Sequence, residues 1–351
     1  MNKLKNKKAP IKKLLTLFGI LVFAACMIVP IPYYVEQPGE TIDLKQLITV
    51  NDQKDKQDGS FSLTSVGIRR ATAFRALVAN FKPFEEVVSA EELTGGSTNE
   101  EYEQMQQFYM ESSQNAAIEQ ALKLADKPYE LEYKGVYVLG VEKTSNFADK
   151  ISVGDTVTKV DGQSFTSSEK FMEYVKGQKV GQKVTITYTH NGETKEATEK
   201  LIELPSDKKP GIGITLTDHT EIKSDETIDI NAGNIGGPSA GLMFTLEIYE
   251  QLIGKDIRHG EKIAGTGTIS SDGTVGRIGG IDKKVASAVE SGTKVFFAPD
   301  DEITDEMKKV QPGIKTNYQE AKAAAKKIGT DMKIVPVKNV QDALDYLENM
   351  K

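Results

Sequence analysis

Ser239 lies in the run Gly236-Gly237-Pro238-Ser239-Ala240-Gly241, a glycine-rich turn between a polar stretch and an apolar helical one. Pro238 suits the first helical position, because it lacks an amide proton and its ring fixes φ. A serine after it sits where free backbone N–H groups point outward. Such groups stabilise the oxyanion of a tetrahedral intermediate, and Gly237 and Ala240 are small enough to admit a peptide backbone. The same turn also suits a structural serine or an anion-binding loop, so by itself it defines a candidate only. Gly237 to Gly241 further matches the Gly-x-Ser-x-Gly elbow of α/β hydrolases, whose acid and histidine follow the serine. Of the three histidines, His190, His219 and His259, only His259 follows Ser239, twenty positions on, with no room for the intervening strands of that fold.

A base for Ser239 is offered by the run Gly276-Arg277-Ile278-Gly279-Gly280-Ile281-Asp282-Lys283-Lys284-Val285. Asp282 reads as an N-cap, which puts both lysines in the first turn of a helix, where the dipole opposes a cation. Acting as a base near neutrality requires a lysine pKa lowered by roughly 3 units, or about 4 kcal/mol, within reach of dipole and burial together. Helical spacing separates the two. Lys284 neighbours Ile281 and Ala288 and lies beside Val285 and Val289, whereas Lys283 neighbours Ala286 and Ser287, so Lys284 is expected on the dry side. A solvated surface lysine is the usual fate of this residue type and is the alternative.

Composition narrows the rest. With 351 residues the chain is expected to form two or three folded units. A net charge of -7 provides no general attraction to nucleic acid. One cysteine, Cys26, and three histidines are too few for a disulfide framework, a zinc cluster or a Cys/His protease. No metal or other cofactor is implied.

At the N-terminus, Lys3, Lys5, Lys7, Lys8, Lys12 and Lys13 form a basic segment, 1–13, before an uncharged apolar run, 14–31. Its length and the lysine asymmetry read as a transmembrane helix with a cytoplasmic N-terminus and the rest outside, a single-pass protein of a bacterial cell membrane. A cleaved signal peptide, with Ala24 and Ala25 as small residues, or a lipoprotein signal ending at Cys26, is the alternative. Residues 32–130 read as an extended and then helical segment: extended from Tyr33 to Val50 with a turn at Pro38 and Gly39, then helical periodicity from Ser65 to Ala125. A capping box is expected at Thr98 and Glu101.

From 131 to 206 the pattern is β-rich, with strands at Val136 to Val141, Thr156 to Val160 and Lys183 to His190, and a hairpin turn at Asn191-Gly192. Gly135-Val136-Tyr137-Val138, Val153-Gly154-Asp155-Thr156-Val157 and Val160-Asp161-Gly162 resemble a bacterial PDZ domain. That resemblance implies capture of an extended peptide at a sheet edge; the peptide groove is not assigned from sequence, and a mere spacer domain is the alternative. Residues 207–351 alternate strands and helices, as α/β or α+β domains do.

Gly237-Pro238-Ser239-Ala240-Gly241 and Ile278-Gly279-Gly280-Ile281-x-x-Lys284, in this order and 45 residues apart from serine to lysine, resemble the motifs of Lon-type peptidases. The closer likeness is to membrane-anchored, PDZ-containing Lon-like proteases of bacteria, including the streptococcal pheromone-processing members. The resemblance implies an α+β multidomain chain with a Lon-type proteolytic domain of the ribosomal protein S5 domain 2-like α/β fold. It also implies catalytic Ser239 and Lys284, an auxiliary hydroxyl at Thr266, peptide or unfolded-protein substrates outside the cell such as a secreted signalling peptide, and assembly of several copies. Two departures stand out. The Gly-x-x-x-x-Gly-Lys-[Ser/Thr] phosphate loop of the Lon ATPase module does not occur, so no ATP is expected. Gly236 occupies a position that is acidic in many Lon proteases, which leaves open how the serine turn is held. A non-catalytic PDZ scaffold and an esterase using the same dyad are the rival readings.

Overall fold

A computed structural model describes residues 8–350, and the side chains from residue 13 onward. Lys3, Lys5 and Lys7 of the basic segment lie outside the described residues. The first helix, α1 (Lys8–Ile28), ends before Pro30, which opens strand β1 (Pro30–Asp43). The expected membrane span is therefore corrected. Only the 15 residues from Leu14 to Ile28 are both helical and uncharged, about 22 Å at 1.5 Å per residue against roughly 30 Å of hydrocarbon. No helix among the described residues is long and apolar enough to cross a membrane, and the expected single-pass placement in a cell membrane loses its support with it.

Strand β1 does not turn at Pro38 and Gly39. It continues through a register shift between Pro38 and Thr41, where Gly39 packs so closely on Ser65 that a Cβ would lie 2.5 Å from its hydroxyl. Its partner β3 (Ser60–Thr72) occupies a stretch expected to begin a helix. The buried alternation of Phe61 and Leu63, with strands on both sides of it, prevails over the longer apolar spacing there. The main sheet runs β17-β16-β13-β3-β1-β4, with β4 (Glu86–Ser89), β13 (Lys262–Gly265), β16 (Val295–Pro299) and β17 (Lys333–Val337). Between β3 and β4 comes the short helix α2 (Ala73–Ala79), and α3 (Ala90–Thr94) follows β4. A small ribbon pairs β2 (Ile48–Val50) with β12 (Ile228–Ile230).

Helix α4 (Asn99–Leu124) opens on the expected capping box, Thr98 with Glu101. The second sheet runs β11-β5-β6-β7-β8, made of β5 (Tyr129–Val141), β6 (Thr156–Val160), β7 (Lys183–His190), β8 (Glu193–Lys200) and β11 (Ile214–Ser224). Helix α5 (Ser168–Lys176) covers its core of Val138, Phe147, Phe171 and Ile186. The two-residue strands β9 (Ile202–Glu203) and β10 (Pro210–Gly211) lead into β11. The remaining elements are α6 (Gly241–Ile253), the ribbon of β14 (Thr268–Ile269) and β15 (Val275–Gly276), α7 (Ile281–Glu290), α8 (Asp305–Val310), α9 (Asn317–Ile328) and α10 (Val340–Glu348).

The stretches 32–130, 131–206 and 207–351 are thus shared between the sheets. β1, β3 and β4 from the first complete the sheet of β13, β16 and β17, and β11 from the third completes the sheet of β5 to β8. Hydrogen bonding of strands distant in sequence decides this, and no local composition signals it.

Under the main sheet, Phe244, Leu246 and Ile248 of α6 pack with Met110 and Ala117 of α4 and with Phe61 and Phe297. The far end of α6 is pinned by Arg258, whose side chain is fully buried. Its guanidinium reaches Glu250, Asp55 and Glu247, and its Nε donates to the Asp58 carbonyl at 2.9 Å. Burial raises the Glu247 carboxyl to about 8 and the Glu250 carboxyl to about 7, even beside the guanidinium. Arg258→Ala, which removes the buried donor shared by Glu247, Glu250 and Asp55, is expected to cost about 1–3 kcal/mol in urea denaturation; an unchanged stability would show that the cluster does not hold α6.

Candidate active site

The serine turn is held from two sides by groups that have no proximity in sequence. The Gly237 amide donates to the Gln106 carbonyl of α4 at 2.8 Å, and Ser113 Oγ donates to the Pro238 carbonyl at 3.0 Å. From the other side, Gly267 N at 2.9 Å and Thr266 Oγ1 at 3.0 Å both donate to the Ser239 carbonyl. Gly237 takes a positive φ of 88° to make the bend. At Gly236 a Cβ would stand 2.8 Å from Gln106 Cβ, so a side chain there would push α4 away. This explains the glycine where an acidic residue was the family expectation: α4 takes over the support of the turn.

Pro238 is not at the first helical position. Helix α6 starts at Gly241 with Ala240 as its N-cap, so Pro238 and Ser239 form the loop before it. Ala240 is buried and Ser239 half-buried at the cleft floor.

Lys284 Nζ lies 2.8 Å from Ser239 Oγ, 2.8 Å from the Thr64 carbonyl oxygen and 3.2 Å from Thr266 Oγ1. The structure therefore brings together Ser239, Lys284 and Thr266, with Gly237, Pro238 and Ala240 in the adjoining turn. The amine is buried, no ion pair to it occurs among the described residues, and burial pulls its pKa down to about 7. Asp282 is not the cap. Gly280 is the N-cap of α7 with a φ of 64°, which places Asp282 at the second helical residue and Lys284 at the fourth. Burial is the cause of the lowered pKa, and the helix dipole is not needed for it.

Exposure does not separate the two lysines, since Lys283 is 4% and Lys284 3% exposed. Their partners do. Burial disfavours the charge on Lys283, but Glu86 at 3.0 Å, with Asp282 and Glu36, holds its pKa above the ordinary lysine value. Lys283 is a structural cation; Lys284 has only neutral oxygens around it. His259, the one histidine after the serine, faces the Leu347 carbonyl at 3.2 Å, beyond the other end of α6.

These side chains floor a cleft of about 800 Å³ walled by Thr64 and Val66 of β3, Tyr102 and Gln106 of α4, and the segments 234–240 and 277–280. The register explains the opening. β13 pairs with β3 only from Ser60 to Leu63, while β1 follows β3 to Thr72, so among the described residues no strand lies beside β3 on the cleft side from Thr64 onward. Sequence reasoning missed Thr64, Gln106 and Ser113. Their distances from their partners along the chain, 220 residues for Thr64 and 125 for Ser113, carry no local signal. The second sheet also has an open edge, at β11, beside α5, whose Ser168 amide donates to Asp218 at 2.6 Å.

Comparison with known proteins fits this division. A PDZ domain family model matches residues 108–201, so the chain contains a PDZ domain; β11 lies past the matched stretch. Among solved structures, the PDZ domain of an SdrC-like protein from Listeria monocytogenes is 40% identical, covering 25% of this chain and 92% of that one, with a TM-score of 0.24. Its counterpart from Listeria innocua is 42% identical, covering 24% of this chain and 96% of that one, with a TM-score of 0.23. Among curated proteins there is weak, partial similarity to Lon proteases. That of Fusobacterium nucleatum is 41% identical over 78 residues, 20% of this chain and 10% of the relative. That of Mycoplasma pneumoniae is 31% identical over 129 residues, 36% of this chain and 14% of the relative. The chain thus matches only about a tenth of each of these relatives' length.

The buried amine has a thermodynamic signature. Between about pH 7 and the ordinary lysine value near 10.4, Lys284 is neutral in the folded protein and protonated in the unfolded one, so unfolding takes up a proton and stability rises with pH. Relative to Lys284→Met, the protein is expected to gain up to about 1.4 kcal/mol per pH unit across that window. Parallel stability curves for the two would mean that the amine is charged when folded.

Proposed function

We propose that the chain is an ATP-independent serine endopeptidase in which Ser239 is the nucleophile and Lys284 its base, acting on peptides or disordered protein segments. The observation that carries this is a lysine amine 2.8 Å from a serine hydroxyl, buried and without a counter-charge. The partial Lon similarity and the PDZ domain support the same class.

The hydrogen-bond geometry accommodates the neutral amine, whose charge burial disfavours. A neutral lysine has two N–H donors and one lone pair. The Thr64 carbonyl and Thr266 Oγ1 accept the two, the latter because its own proton is committed to the Ser239 carbonyl. The lone pair is then directed at the Ser239 hydroxyl, which donates to it. As Oγ attacks a peptide carbonyl, its proton passes to Nζ, and the resulting ammonium delivers it to the leaving amine. Water then adds to the acyl-enzyme, giving a proton to the same amine; the C–Oγ bond breaks, the ammonium returns that proton to Oγ, and the new carboxylic acid leaves. Gly237 does not serve the oxyanion, since its amide is taken by Gln106, and Pro238 has none. The amides of Ser239 and Ala240 are the donors nearest the nucleophile that are available for that charge.

An extended segment fits the cleft because the uncovered part of β3 lines it. The PDZ domain recruits such segments by strand addition at the open edge of β11. A cleft reached without an unfoldase favours peptides and disordered tails, among them a signalling peptide awaiting maturation.

Full-length protein incubated with a mixed peptide library and read by mass spectrometry tests this. Ser239→Ala and Lys284→Ala are expected to lower cleavage by at least about 10³-fold with folding intact. Equal activity in all three, or none in the wild type, would leave a peptide-binding role for the PDZ domain as the better account. Because the base must be neutral, kcat is expected to rise with pH through about 7. A rate that falls over that range would exclude Lys284 as the base.

A further inference from the structure

Residues two apart on a helix point about 200° apart, and α4 uses this to touch two different units. On one face, the Gln106 carbonyl and Ser113 hydroxyl hold Gly237 and Pro238 of the serine turn, and Tyr102 and Met110 line the cleft. On the opposite face, Phe108 stacks on Tyr137 of β5, with ring centroids 3.6 Å apart, and meets His219 of β11 edge-on at 5.6 Å. Glu111 pairs with the same histidine at 3.6 Å, and Asn115 Nδ2 donates to the Thr220 carbonyl of β11 at 3.0 Å. His219 is itself tied to Thr156 Oγ1 of β6 at 2.8 Å. β11 is the edge strand of its sheet, where a peptide strand would add.

We infer that α4 couples the two sites: an extended peptide bound along the open edge of β11 changes the hold of Gln106 and Ser113 on the serine turn, and with it turnover at Ser239. Gln106 and Ser113 are in this account positioning residues. They do not touch the reacting atoms, but the turn that carries Ser239 is fastened to their helix. Phe108, Glu111 and Asn115 are the receiving end, since any shift of β11 is transmitted through a stacked ring, a carboxylate–imidazole contact and a hydrogen bond to one rigid rod. The single turn between Gln106 and Met110 lies on the cleft wall, so a displacement of α4 also alters the cleft itself. The kinetic part of this inference rests on the proteolytic reading above; the structural coupling does not.

The probe is a fluorescein-labelled decapeptide selected from a random library with free C-termini against the full-length Ser239→Ala protein, kept only if it slows amide exchange in 214–224. Added to wild type cleaving a short fluorogenic peptide, the probe is expected to raise kcat about fivefold or more, the lower range of allosteric coupling. It is also expected to slow exchange of the amides at 236–241. In Glu111→Gln and in Phe108→Ala, with probe binding verified by anisotropy, the rise is expected to shrink to under about twofold. Glu111→Gln keeps the test valid if the loss of the buried Phe108 ring prevents folding. Bound probe with turnover unchanged and exchange at 236–241 unchanged would overturn the coupling. If the wild type cleaves nothing, the proteolytic reading fails by itself, and exchange at 236–241 alone decides whether α4 links the sites.

Discussion

A lysine amine buried among three neutral oxygens, with no carboxylate to pair with it, is costly to keep in a fold, and much of the architecture is arranged around that cost. Desolvation disfavours the charged form by several kcal/mol for a buried group, so the amine gives up its proton near neutrality instead of recruiting a counter-ion. The oxygens must come from elements that cannot drift: the Thr64 carbonyl from β3, one of the two central strands of the main sheet, and Thr266 from the step just after β13. The neighbouring Lys283 shows the alternative outcome. One residue away, equally buried, it meets Glu86 and Glu36 and stays a cation. The difference between a charged and a neutral buried lysine is made by the partners that the strands β1 and β4 do or do not supply.

The same sheet creates the cleft. β13 is four residues long, and where it stops, β3 continues with one partner only. A fully paired strand would have filled the space above Lys284, and a shorter β3 would have removed the Thr64 carbonyl. The opening and the amine's acceptor are therefore consequences of one mismatch in strand length.

Support of the serine turn comes from α4, a helix whose amphipathicity is weak because it is buried along two opposite faces. Gly236 and Gly237 allow the backbone to approach it, and Ser113 and Gln106 satisfy polar groups that a tight turn would otherwise leave unpaired. The PDZ sheet packs on the other face, so the two units share a helix instead of a flexible linker. Such a shared wall makes each unit sensitive to the position of the other.

Local chemistry was legible from the residues themselves. The Gly-Pro-Ser-Ala-Gly turn, the lysine after Gly279-Gly280, the capping box at Thr98 and Glu101, and the hairpin at Asn191-Gly192 depend on neighbours a few positions away, and spacing along the chain reports those directly. Helix boundaries are less legible: Pro238 and Asp282 have the right residue types for helix starts, but α6 and α7 begin elsewhere because groups distant in sequence, from α4 and residues 266–267 in one case and Asn317 of α9 in the other, bond the segments before them. The apolar run has the length of a membrane span, yet β1 begins at Pro30, paired with Thr72 of β3, and the helix ends at Ile28. The sequence by itself determined which residues could form a Ser/Lys pair and where the local capping box and hairpin turn lie. Only the tertiary structure decided that β3 belongs beside β13, that Thr64 and Gln106 flank the serine and lysine, and that Lys283, equally buried, meets carboxylates whereas Lys284 meets neutral oxygens, because burial and hydrogen bonding between residues hundreds of positions apart are properties of the packed chain.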